Sequence, residues 1–195
     1  GVSYEKLTDD QTIFLTRLVD DNLLEKSEYP DDSRVNRIPN KKAKIQFAWI
    51  EITTGCNLKC IHCYEEAKNN KGKQMRLEDF ERVVDQLQSI GVRRIQLIGG
   101  EPFVLQDKLL EMIKIAYGKF QNIEIFTNGT LLTPKWIEII KKYKVQIALS
   151  VYSYKDKEHD KVTCVPGSHK ETNKAIKLLN YSGIKYRVCN VLMNG

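Results

Sequence analysis

Three cysteines fall within eight positions of the chain: Cys56, Cys60 and Cys63, in the stretch GCNLKCIHCY (55–64). The C-x3-C-x2-C spacing lets one short loop wrap three sulfurs around a compact metal centre. Two chemistries are open to it. Zinc accepts Cys3His sets at similar spacing, and His62 would complete one. A [4Fe–4S] cluster is normally held by four cysteines. Three would leave one iron without a protein ligand, the kind of open position that a catalytic metal site keeps and a structural one lacks. Cys164 and Cys189 have no metal-ligand spacing around them and read as packing residues. Five cysteines, three of them clustered, argue against a disulfide framework and for a reducing, cytoplasmic compartment.

A second group of residues invites a ligand. In GGEP (99–102), Gly99 and Gly100 let backbone approach a ligand with no Cβ in the way, Glu101 offers a carboxylate to an ammonium group, and Pro102 stiffens the turn. TNG (127–129), Ser150 and Tyr152 are further polar positions at the ends of apolar runs.

The elements that must hold these residues alternate. Strands are expected at 44–52, 92–100, 122–129, 145–152 and 184–193. Between them the 3.6-residue apolar period predicts helices at 75–91, 106–117, 133–143 and 168–183. Thr133 and Pro134 suit the start of the third of these, and a Ser168/Glu171 capping box suits the start of the fourth. Gly91 and Gly183 are the expected stops of the first and the fourth. Strand and helix in alternation with short loops mean an α/β fold with a parallel sheet. Each unusual residue then lies at the carboxyl end of a strand, where such folds bind ligands. Five strands do not close an eight-stranded barrel. The expected architecture is therefore a partial TIM-like (βα) barrel, truncated after its fifth strand. Ahead of it, residues 8–25 read as a helix with Thr8 or Asp9 as cap and an apolar stripe of Ile13, Phe14, Leu18, Leu23 and Leu24. Residues 28–44 read as a polar arm. The domain boundary is expected at 43/44, with an N-terminal helix and arm over 1–43 and the barrel domain over 44–195.

Taken together, the cysteine triplet followed by Tyr64, and GGEP one βα unit later, resemble the radical SAM superfamily. The resemblance implies a [4Fe–4S] cluster on Cys56, Cys60 and Cys63 whose open iron chelates S-adenosylmethionine. Reductive cleavage there yields a 5′-deoxyadenosyl radical that takes a hydrogen atom from the substrate. It further implies that Gly99, Gly100 and Glu101 meet the methionine ammonium, that Ser150 meets the ribose or carboxylate with help from Asn128, and that the backbone near Tyr64 meets the adenine. The segment 149–193, with His159–Asp160, Gly167–Ser168 and Gly183–Ile184, is similar to SPASM-type maturases of ribosomally made peptides. That similarity implies a peptide substrate and an electron donor such as flavodoxin or ferredoxin. Alternatives within the superfamily are cofactor or tetrapyrrole maturation and RNA modification; outside it stands a zinc-stabilised binding module. The chain departs from the family in carrying neither a SPASM extension nor a sixth strand, and in having Thr163 where an arginine often holds the cofactor carboxylate, with Lys161 as a substitute.

Composition narrows the partners. No apolar run reaches the roughly 20 residues that span a bilayer, so no membrane partner is expected. Residues 1–40 carry nine acids and five bases, net −4, whereas the remainder carries 26 bases and 16 acids, net +10. Scattered lysines along helices read as a solvated surface and argue against nucleic acid. His159 and His169 read as surface residues in loops, His62 as a bystander that points away from the metal, and Trp49 and Trp136 as core anchors.

Overall fold

The computed structural model describes residues 8–21, 44–64 and 72–191. The chain divides into two compact units, Gly1–Ala43 and Lys44–Gly195. In the first, helix α1 (Asp9–Asp20) opens with a capping box: Thr8 Oγ1 accepts from the Gln11 amide, and Gln11 Oε1 accepts in return from the Thr8 amide at 3.1 Å. Ile13 and Phe14 are exposed. Leu23, Leu24 and most of the polar arm lie outside the described residues.

The second unit is one five-stranded parallel sheet in the order β1-β2-β3-β4-β5. The strands are β1 (Phe47–Thr53), β2 (Arg94–Gly99), β3 (Asn122–Thr127), β4 (Gln146–Ser150) and β5 (Tyr186–Cys189). Their connections carry helices α2 (Leu77–Ser89), α3 (Asp107–Ala116), α4 (Pro134–Lys142), α5 (Asp156–Thr163) and α6 (Ser168–Tyr181). Consecutive strands are spatial neighbours, so each crossover advances the sheet by one strand, the winding of a (βα) barrel. The last two positions expected in β5 lie outside the described residues.

The core sits on one face of the sheet. Ile50, Ile52, Ile95, Leu97, Ile125 and Leu149 alternate along their strands onto that face and are buried. Phe80 and Val84 of α2, Leu109 and Met112 of α3, and Trp136 and Ile140 of α4 pack over them. The two tryptophans separate here. Trp136 is buried with its ring edge-on to Phe103 at 4.9 Å, as a core anchor should be. Trp49 is 69% exposed. Strand alternation explains the difference: Ile50 and Ile52 claim the helix-covered face, which leaves Trp49 on the opposite one, edge-on to Phe47.

The segment between β4 and α6 also differs from expectation. Residues 156–163 form α5, a polar helix with no apolar period to announce it. His159 is therefore buried on a helix, 1% exposed, instead of lying in a surface loop. The Ser168/Glu171 capping box does not form, because Gly167 occupies the cap position. Asp160 caps α6 from outside: its carboxylate accepts from Gly167 N (2.6 Å), Ser168 Oγ (2.8 Å) and His169 N (2.9 Å). Glu171 turns outward to Lys174.

The packing makes a simple prediction. Leu97→Ala should cost about 2–5 kcal/mol in urea unfolding, the range for deleting a fully buried leucine side chain. Tyr181→Ala, at a 97% exposed position, should stay within about 0.5 kcal/mol of wild type.

Candidate metal and cofactor site

The cysteine loop begins where β1 ends, and the end of β2 lies directly against it. Gly100 N donates to Thr53 O at 2.8 Å, and Glu101 N donates to Gly55 O at 2.8 Å. A Cβ on Gly99 would stand 2.1 Å from Thr53 O, and one on Gly100 would stand 2.4 Å from Gly55 O. Backbone oxygens cannot give way, so only glycine fits at either position. Gly99 also adopts φ +153°, at the edge of the range that L side chains avoid. The paired glycines thus have a reason in the chain itself: they let the GGEP turn seat the first residues of the cysteine loop.

Glu101 ties this turn to the end of β3. Its side chain is fully buried. One carboxylate oxygen accepts from Phe103 N (3.1 Å) and Thr127 Oγ1 (2.7 Å), and the other from Asn128 N (2.7 Å). Burial pushes its pKa up to about 7, against three hydrogen bonds that favour the charged form.

Asn128 extends the network to the cysteines. Its Nδ2 donates to Asn57 Oδ1 at 3.0 Å and lies 3.9 Å from Cys56 Sγ. Its Oδ1 accepts from Thr130 N and Thr130 Oγ1. Asn57 in turn donates to Thr130 Oγ1 at 2.7 Å, which closes a polar ring between the cysteine loop and the TNG turn. Thr172 Oγ1 of α6 donates to Asn128 O, so the turn is held from behind as well.

The other flank of the cysteine loop leans on α5. Lys59 N donates to Thr163 O (3.0 Å) and Ile61 N to Val162 O (2.9 Å). Cys56 and Leu58 are buried, and Cys60, Cys63 and Val165 pack against them. Burial, with Glu101 and the neighbouring cysteines adding negative potential, pushes the Cys56 thiol up to about 12; Leu58 N donates to its sulfur at 3.4 Å and opposes the shift. Burial also raises Cys60, a shift that the Tyr152 hydroxyl opposes. The His62 ring lies 4.8 Å from the Tyr152 ring, with Nδ1 buried and without a hydrogen-bond partner. Among the described residues no three His, Cys, Asp or Glu side chains converge as a mononuclear metal site. Three mutually packed thiols at one rim fit a polynuclear iron–sulfur centre, whose ligands stand around a cube rather than around a point.

Of the residues singled out from the sequence, Gly99, Gly100 and Glu101 thus meet the backbone at Thr53 and Gly55 just ahead of Cys56, and Asn128 links Glu101 to the Cys56 sulfur. Ser150 is buried at the end of β4. Tyr64 is 73% exposed. Sequence reasoning passed over Asn57 and Thr130, and named Asp160 without its capping role; the one available signal was their position inside or next to GCNLKC, TNG and HD. It also passed over a polar row on the sheet face opposite the helices. There Gln96 donates to Glu124, whose carboxylate receives Arg187 through Nε (3.0 Å) and Nη2 (2.9 Å).

Two outcomes test this geometry. Glu101→Ala leaves three buried donors unsatisfied, each worth about 1–3 kcal/mol, and should lower stability by roughly 3 kcal/mol or more in chemical denaturation. The raised pKa of Glu101 also means that the folded chain binds a proton more tightly than the unfolded chain. Stability should therefore fall as pH rises from about 4.5 to about 7 and level off above it, a slope that Glu101→Gln should flatten in pH-resolved thermal melts.

Comparison with known protein families matches residues 50–195 to the Radical SAM superfamily. The subtilosin biosynthesis protein AlbA of Bacillus subtilis (strain 168) is 36% identical over 143 residues, 72% of this chain and 32% of that protein. The AdoMet-dependent heme synthase of Methanosarcina barkeri is 29% identical over 143 residues, 72% of this chain and 40% of that protein. Among solved structures, Streptococcus suis SuiB bound to S-adenosylmethionine superposes with a TM-score of 0.68 at 22% identity, over 95% of this chain and 45% of that one. The chain spans about a third to a half of the length of these relatives. In sequence and in fold, the chain belongs to the Radical SAM superfamily.

Proposed function

We propose that this chain holds a [4Fe–4S] cluster on Cys56, Cys60 and Cys63 and binds S-adenosylmethionine beside it, as the core of an enzyme that modifies a ribosomally made peptide. The observation that carries the reading is the direct seating of the three-cysteine loop on the GGEP turn, two motifs with no reason to touch in a structural zinc site. When bound, the cluster and S-adenosylmethionine supply a 5′-deoxyadenosyl radical; the protein's part is to bind, orient and exclude water.

Each residue has a physical task in that scheme. The three thiols must lose their protons to ligate, so loading releases protons and tightens as pH rises. The raised Cys56 and Cys60 pKa values extend that dependence to higher pH, and the iron's positive charge offsets it. The turn Gly99–Gly100–Glu101 offers the ammonium group a backbone edge, with the sealed Glu101 carboxylate as the compensating negative charge behind it. Ser150 would meet the ribose or carboxylate with help from Asn128, and the backbone near Tyr64 would meet the adenine. A peptide substrate is favoured by AlbA, at 36% identity more similar than the heme synthase and concerned with bacteriocin biosynthesis. A tetrapyrrole substrate is the second reading, favoured by the heme synthase.

Anaerobic reconstitution with iron and sulfide tests the proposal. A brown protein that converts S-adenosylmethionine to 5′-deoxyadenosine under reductant is expected. Replacement of any one of Cys56, Cys60 or Cys63 by alanine should abolish both properties, whereas Cys164→Ser and Cys189→Ser should keep them. Retention of zinc with no iron and no 5′-deoxyadenosine would refute it.

A further inference from the structure

One cleft of the barrel unit takes no part in the site described above. It measures about 860 Å³ and lies between the β4–α5 connection and α6. Five lysines line it: Lys155, Lys157, Lys170, Lys174 and Lys177. Two acids share the lining, Asp156 and Glu158. Lys155 is spent on Glu158 and Lys174 on Glu171. Lys157, Lys170 and Lys177 make no ion pair among the described residues, so the cleft keeps an uncompensated positive field. Tyr154, 84% exposed, stands at its mouth.

The cleft has an inner end. A second cleft of about 530 Å³ shares Tyr154, His169 and Asn173 with it and reaches Tyr152. From there a file of rings runs to the cysteine loop. His169 lies 5.4 Å from His159, His159 lies 5.4 Å from Tyr152, and the Tyr152 ring lies 4.8 Å from His62 of the cysteine loop. The file is fixed at each point. His159 is buried and its Nδ1 accepts from Tyr152 N at 3.4 Å, while the His169 ring is held by Asn173 Nδ2.

We propose that the lysine-lined cleft is the docking surface for a small acidic electron-carrier protein, and that the His169–His159–Tyr152 file leads its electron to the centre on the three cysteines. The inference rests on the iron–sulfur reading above and adds to it where and how the electron enters. One electron leaves the donor's reduced flavin and enters the oxidised cluster; no bond forms or breaks and no group is transferred. An acidic peptide would satisfy the lysines equally well but gives no reason for a ring path from the cleft to the cysteine loop. Charge-steered encounter through unpaired lysines, giving a weak, salt-sensitive complex, suits a carrier that must leave after each transfer.

The test uses the reconstituted chain and an acidic flavodoxin as probe. In Lys157→Glu/Lys170→Glu/Lys177→Glu, calorimetric affinity for flavodoxin should fall by roughly tenfold or more and lose its salt dependence. Stopped-flow oxidation of the flavodoxin hydroquinone should slow in step, with reduction by dithionite unchanged. His169→Leu should slow transfer at saturating flavodoxin, where any change in affinity no longer limits the rate. Unchanged affinity in the triple variant overturns the docking surface, as does a loss confined to a glutamate-rich peptide; unchanged transfer in His169→Leu overturns the ring path. Whether the chain carries a cluster is read separately, from its colour and its response to dithionite. A colourless protein that still binds flavodoxin through these lysines would defeat the functional reading while upholding the surface.

Discussion

Everything at the cysteine rim depends on one close approach of two backbones. The chain leaving β1 passes so near the end of β2 that side chains are excluded at Gly99 and Gly100. Two main-chain hydrogen bonds close the gap. Once this contact exists, Glu101 follows at a fixed position. Its buried carboxylate gathers Phe103 N, Thr127 and Asn128, and Asn128 lies against Cys56. A flexible loop with three cysteines would lose much of its binding energy to ordering. Here the first half of the loop is already seated by interactions that do not involve the metal.

The second half is seated by different means. The carbonyls at the end of α5 accept the Lys59 and Ile61 amides, and α5 is locked to α6 by Asp160 and by the Thr163–Ser168 hydroxyl pair at 2.6 Å. The loop is thus spanned between the end of β2 and the β4–α6 connection. These two supports are far apart in sequence and meet only because the sheet winds one strand at a time. The same span places Tyr152, just past the end of β4, against His62 of the cysteine loop, which gives the sheet's far strands a stake in the loop's surroundings.

Periodicity made most of this fold legible. The five strands, four of the helices and the parallel winding follow from apolar alternation and turn residues, and the cysteine spacing with GGEP pointed to the superfamily. The misses have physical causes. Trp49 is apolar in a strand, and nothing local states which face the pleat will bury; the neighbouring isoleucines decide it. Helix α5 is held by its ties to α6 and by the cysteine loop that leans on it rather than by an apolar stripe, so its sequence reads as loop. Ser168 and Glu171 match a capping box, but an aspartate from the preceding helix had taken the amides. Glu101 resembles an exposed ligand in sequence and is a sealed anchor in space, because burial is a property of the assembled sheet.

The central claim is that the protein leaves one coordination position for S-adenosylmethionine by supplying three sulfurs on a preseated loop. Electron paramagnetic resonance of the dithionite-reduced, anaerobically reconstituted chain, recorded with and without S-adenosylmethionine, reads that position directly. A reduced-cluster signal whose shape changes when S-adenosylmethionine is added is the predicted result. A cluster signal indifferent to S-adenosylmethionine would mean that no iron is open to it, and would contradict the account.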